Sequence, residues 1–160
     1  MNQKGFATFE AILAVTIISV LAFIAVPKID RVIDKIALDY EMKRLCSEIE
    51  FASSLNRSAG FDSEIFYDTI SVAENAIILE INTSTNSWQI RRNEKFLRDR
   101  HYLLAGIKIS CNSDSVKNIE FTPEGRCRGD GTITLTSRHG EQAEIVFDTV
   151  GRWRANKNIE

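Results

Sequence analysis

Between Gly5 and Pro27 lies a run of 21 residues, Phe6–Val26, that is apolar apart from Thr8, Thr16, Ser19 and one carboxylate, Glu10. A helix rises about 1.5 Å per residue, and about 20 residues cross the hydrocarbon core of a bilayer. The run is therefore long enough to span a membrane. Counted only from Ala11 it is 16 residues and nearly does so. Lys4 and the amino terminus precede it, which favours leaving that end in the cytoplasm and the rest of the chain outside. A secretory signal peptide closes on a small-residue cleavage site. Ala25-Val26-Pro27-Lys28 is a poor one, and the apolar pattern continues beyond it, so the segment is expected to be retained.

A carboxylate inside such a segment costs about 2.5–3.5 kcal/mol at the centre and less near the interface. The bland reading of Glu10 is an interfacial acid. The functional reading requires a partner. The surrounding residues, Lys4-Gly5-Phe6-Ala7-Thr8-Phe9-Glu10, resemble the processing motif of type IV prepilins and pseudopilins. The resemblance implies that a prepilin peptidase cuts after Gly5 and that Phe6 becomes the methylated N-terminal residue. Glu10 is then the fifth residue of the mature chain, the assembly acid. Cleavage would create an ammonium at Phe6. A neighbouring subunit's Glu10 could neutralise it where an unpaired charge is costly. Ala7-Thr8-Phe9 departs from the Thr-Leu-Ile or Thr-Leu-Val more usual in that family.

Pro27 removes one backbone donor and favours a kink, but the helical pattern resumes after it. Ile29, Val32, Ile33, Ile36 and Tyr40, then Met42, Leu45, Ile49 and Ala52, recur at three- and four-residue steps. Read as one stripe, they predict an amphipathic helix with one buried face. A helix from Phe6 to Leu55 would be about 75 Å long, too long for a small domain and suited to a membrane spike whose second half packs on a head. Asn56, Ser58 and Gly60 mark its end.

Beyond residue 60 the period changes to two. Strands are expected at 76–81, 88–91, 102–111, 117–122, 132–136 and 143–147, with turns at 82–86 and 138–141. The expected fold is α+β, a long N-terminal helix on a small antiparallel β head. The expected segments are a leader at 1–5, a spanning segment at 6–27, an amphipathic continuation at 28–56 and an extracytoplasmic head at 57–160. Phe121-Thr122-Pro123-Glu124-Gly125, Gly131 to Leu135 and Gly151-Arg152-Trp153-Arg154 narrow the resemblance to the GspH/FimT-type minor pseudopilins and pilins.

Formal net charge is −2 with 26% charged residues, which excludes a bulk polycation. Any nucleic-acid contact must come from a local patch, and there are two. Arg91, Arg92, Lys95, Arg98 and Arg100 fall within eleven residues that end at His101; Arg152, Arg154 and Lys157 surround Trp153. Arginine beside an aromatic can hold phosphates and stack on bases. In FimT-like pilins the matching late motif is implicated in DNA binding during natural transformation. In H-type secretion pseudopilins a similar motif lacks that role. The plain reading is a strand end with solvent-facing or paired arginines.

Neither histidine, His101 or His139, belongs to a metal, nucleophile or phosphate-loop motif. No enzyme, cofactor or metal is expected, and a membrane-anchored extracytoplasmic enzyme would need a cleft of converging titratable groups that the sequence does not offer. An extracytoplasmic head permits disulfides. Of three cysteines, Cys111 and Cys127 are the candidate pair, worth about 3 kcal/mol, and Cys46 reads as a small buried hydrophobe. The expected role is a minor pilin or pseudopilin in the inner membrane. Its expected partners are other pilins, prepilin peptidase and, for a DNA-uptake pilin, DNA. The alternative is a structural minor pseudopilin of a type II secretion system without DNA binding.

Overall fold

The protein is described from a computed structural model covering residues 3–59, 76–92, 95–122 and 126–158, with side chains in the helix and last strand described for 9–57 and 153–156. One helix, α1 (Gln3–Ala59), runs unbroken through Pro27. Its 57 residues correspond to about 86 Å. It ends later than Asn56 because the Asn56 side-chain amide donates to the carbonyl of Phe121 in the head, which ties down the last turns.

Among the described residues ten strands follow, all paired antiparallel: β1 (Ile77–Asn82), β2 (Ser87–Arg92), β3 (Lys95–Phe96), β4 (His101–Tyr102), β5 (Lys108–Cys111), β6 (Asn118–Phe121), β7 (Cys127–Arg128), β8 (Gly131–Thr136), β9 (Gln142–Phe147) and β10 (Trp153–Asn158). They form two sheets. The first has the order β3-β2-β1-β6-β7, with β4 also on β2; the second has the order β10-β9-β8-β5. The run 102–111, expected as one strand, is divided between the sheets. Leu104 N–H donates to Glu41 of α1 at 3.0 Å, and Gly106 sits at φ +97°, so the chain turns there and crosses over.

The core lies where both sheets meet α1. Leu38, Met42, Leu45, Ile49 and Ala52 of the helix are buried against Ile77, Leu79, Trp88, Ile119, Phe121, Ile133, Leu135 and Ile145. The alternation of buried and half-buried residues along β1 and β9 is the period of two that turns one face to this core. The helix differs from the single stripe expected. Ile29, Val32, Ile33, Ile36 and Tyr40 are 51–64% exposed. Tyr40 and Met42 are two positions apart, about 200° around the helix. The apolar pattern therefore contains two stripes on opposite faces, and the head covers only the second.

Candidate functional site

The first surface of interest is the uncovered part of α1. From Phe9 to Ile29 every residue is exposed, with Phe23 at 84%. α1 is long and apolar enough to cross a membrane. Thr16 and Ser19 return their hydroxyls to the carbonyls of Leu13 and Val15, both at 2.7 Å, so each is satisfied within the helix. That is the arrangement a hydroxyl needs in lipid or against another helix. Glu10 stands exposed on this apolar surface. Gly5 and Phe6 belong to α1 by backbone, and the Phe6 side chain lies outside the described residues.

The second surface is the segment Arg91–His101, and the structure gives most of its cations to the protein itself. Arg91 lies 3.5 Å from Glu80 on the outer face of the first sheet. Arg92 pairs in register with the buried Ile77, so it points to the opposite face and the two arginines form no common patch. Arg98 bonds Glu48 of α1 at 2.8 Å and lies 4.0 Å over the Phe51 ring. Arg100 donates twice to Gln89. His101 reaches Glu41 at 2.8 Å and packs tilted against Trp88, with ring centroids 4.4 Å apart and an interplanar angle of 51°.

The second sheet does the same from its side. His139 bonds Asp34 at 2.7 Å and lies 3.7 Å from Asp30, while Lys35 lies 3.4 Å from Glu141. Asp34, Glu41 and Glu48 are 6%, 0% and 9% exposed. They recur every seven residues, two turns apart, and so flank the buried stripe on one side. This seam was not read from sequence. The seven-residue spacing of the acids was its signal, and the basic residues that answer it are remote in the chain.

The third surface is the late motif. Asp148 Oδ1 accepts from Val150 and Arg152 N–H, and Oδ2 lies 3.1 Å from Arg152 Nε. The Arg152 backbone bond, the Arg152 guanidinium and the Val150 bond hold the Asp148 carboxyl below the usual carboxylate range. Gly151 has φ +82°, and a Cβ there would fall 2.8 Å from the Cys127 carbonyl oxygen. Glycine is needed both for the turn and for its approach to β7. Trp153 is half-buried against the core, while Arg152 and Arg154 are exposed. The turn brings Arg126 and Arg128 beside it, around a cleft of about 460 Å³.

The candidate Cys111–Cys127 bridge is absent: all three thiols are free. Cys111 sits opposite Ile133 in the second sheet and Cys127 opposite Phe121 in the first, so the strands that carry them belong to different layers. Burial pushes the Cys127 thiol up to about 11 and raises Cys46 and Cys111 as well. None is an activated thiolate.

No family model matches the chain, and no curated protein matches it. Among solved structures it is similar to the minor pseudopilin EpsH from the type 2 secretion system of Vibrio cholerae. The TM-score is 0.58 at 9% identity, covering 77% of this chain and 98% of that one. The likeness establishes a pseudopilin-like fold.

Proposed function

We propose that this chain is a minor subunit of a type IV pilus-like or pseudopilus fibre, held in the inner membrane by α1 before assembly, with its head outside. The observation that carries the reading is the uncovered apolar face of α1, which continues past Pro27 to Tyr40 on a pseudopilin-like head. A face that size in water needs lipid or other helices. In this reading prepilin peptidase cuts after Gly5, Phe6 is methylated, and Glu10 pairs with the amino terminus of a neighbouring subunit.

Two variants test it. Gly5→Val should leave a precursor about five residues longer by mass spectrometry, because a branched side chain blocks the step that glycine permits. Glu10→Ala should insert at least as well as wild type, since a costly carboxylate is gone. It should still be cleaved and should be depleted from sheared fibres. Normal incorporation of Glu10→Ala would reduce that residue to an interfacial acid and overturn the pairing.

A DNA-contacting role is the second reading. It is supported by Arg154, exposed and without an ion pair among the described residues, and by Arg126 and Arg128, which line the cleft at the Gly151 turn. It draws little support from Arg91 and Arg92, which face opposite sides of the sheet. Arg152→Gln with Arg154→Gln in the full chain in detergent should weaken duplex binding regardless of sequence. It should also flatten the salt slope by up to about two phosphate contacts. A wild-type chain that shows no salt-sensitive DNA binding removes this role.

A further inference from the structure

The exposed stripe of α1 has a period as well as a place. Val26, Ile29, Ile33, Ile36 and Tyr40 follow one another at steps of three, four, three and four residues, and all five are exposed. That spacing is a heptad repeat, which keeps one apolar seam turned toward a second helix. Between Pro27 and Tyr40 the one other exposed large apolar side chain is Val32, beside the seam. Carried back into the apolar run, the same spacing falls on Ala22, Ser19 and Val15. Ser19 and Ala22 are small, and the Ser19 hydroxyl donates to the Val15 carbonyl, so a second helix can come close there. From Val15 to Tyr40 the seam runs about 38 Å. It stops at Lys43 and Ser47, which fill the next two seam positions.

The head does not stand in the way. Leu38 is fully buried under it and lies two positions from Ile36, about 200° around the helix. Two helices joined along the seam therefore carry their heads outward.

The residues flanking the seam select the occupant. In a parallel pair, the side chain just before a seam position on one helix faces the residue five places later on the other. Two copies in register set Asp39 against the second copy's Arg44, twice by symmetry. They also set Val32 against Ala37 and Ile18 against Phe23, apolar on apolar. Sliding one helix by a heptad keeps the apolar seam but sets Asp39 against Ala37 or Phe51. Asp39 and Arg44 already reach Lys43 and the Tyr40 hydroxyl within α1, in one-turn surface bonds that contribute little and exchange readily.

We propose that α1 pairs with α1 of a second copy of this chain, parallel and in register, along Val26, Ile29, Ile33, Ile36 and Tyr40, with Asp39 and Arg44 fixing the alignment. The parallel direction rests on the membrane reading above, because two chains held by the same segment enter from the same side. The fibre contact proposed there joins residue 10 of one chain to residue 6 of the next, which offsets the helices. The in-register pair is a separate state, formed in the membrane before assembly.

A cysteine on the seam can bond to its own copy only where identical residues meet. The test uses the full chain with detergent micelles in large excess, so that two chains share a micelle by association. Ile29→Cys and Ile36→Cys, one heptad apart, should each give a disulfide-linked dimer on copper–phenanthroline oxidation, above the background that the three native cysteines give in wild type. Arg31→Cys, off the seam, should not exceed that background. In the Ile36→Cys chain, Asp39→Arg should slow linkage about threefold or more, and adding Arg44→Asp should restore it. Loss of the Asp39–Lys43 bond alone would not be repaired from position 44. Background linkage at either seam position overturns the proposal, and so does a double exchange that fails to restore linkage. Neither result touches the fibre reading, which stands on the processing of Gly5→Val and the incorporation of Glu10→Ala.

Discussion

The two halves of α1 are both rich in apolar residues, yet they meet their surroundings differently. In the half under the head, Leu38, Met42, Leu45, Ile49 and Ala52 are buried, and the acids beside them have answering cations or histidines within the same chain. In the other half the apolar residues are exposed, and Glu10 is the one acid among them up to Pro27. A helix that supplies its own counter-charges can dock a head in any environment. A helix that does not must find both its apolar contacts and its counter-charge in something else. On the proposed function, the difference separates folding from assembly along a single helix.

The largest expected effect breaks the head-side arrangement. His101→Ala leaves the Glu41 carboxylate, 0% exposed, with only the Leu104 N–H as a recorded partner. Removing one member of a buried pair costs about 3–5 kcal/mol, read as a lower urea midpoint of the full chain in detergent. Next comes a pair of substitutions that sets the two stripes against each other. Leu45→Ala empties a site in the core and should cost about 2–5 kcal/mol. Ile36→Ala lies on the exposed stripe and should stay within about 0.5 kcal/mol, while its incorporation into fibres falls. Equal destabilisation by both would mean one buried face rather than two.

Those stripes show how far the sequence could be read. Nine apolar positions at helical spacing were visible, and so was the helix. The half-turn offset between Tyr40 and Met42 was also visible, but without knowing where the head sits it merges into one broad stripe. The strand pattern was legible for the same reason in reverse: a period of two needs only local neighbours, as along β8 and β9. The division of 102–111 between two sheets was not, because it depends on the contact of Leu104 with Glu41, 63 residues away. At the late motif, Trp153 turns inward and Arg152 and Arg154 outward, as alternation along a strand requires. The partnership of Arg152 with Asp148 was within reach at four residues' distance and went unused. The cysteines were misread because strand order, and hence the layer each belongs to, is not written in their spacing.

The smallest effect uses that exposed pair as a lower bound for the ionic seam. Asp148 has its carboxyl lowered in the folded chain, so its contribution is complete above the ordinary value near 3.9 and is lost as pH falls through the lower folded value. Asp148→Asn should therefore match wild type in stability once the pH lies below the lowered folded value, and fall behind it as the pH rises into the ordinary carboxylate range. A difference that persists unchanged at lower pH would show that the carboxylate acts through geometry and not through charge.

The bridges between head and helix also have a mechanical meaning. They begin at Asp30, held near His139, and end at Glu48, held by Arg98, a span of about 27 Å along the axis. One sheet grips one end and the other sheet grips the other. A pull along α1 loads them in shear and all together, so no single contact can open ahead of the rest as it would in a peeled joint. Resistance to force is set by the rate of crossing that shared barrier. In a fibre of the kind proposed, axial tension on the rod would therefore be carried across all these bridges at once.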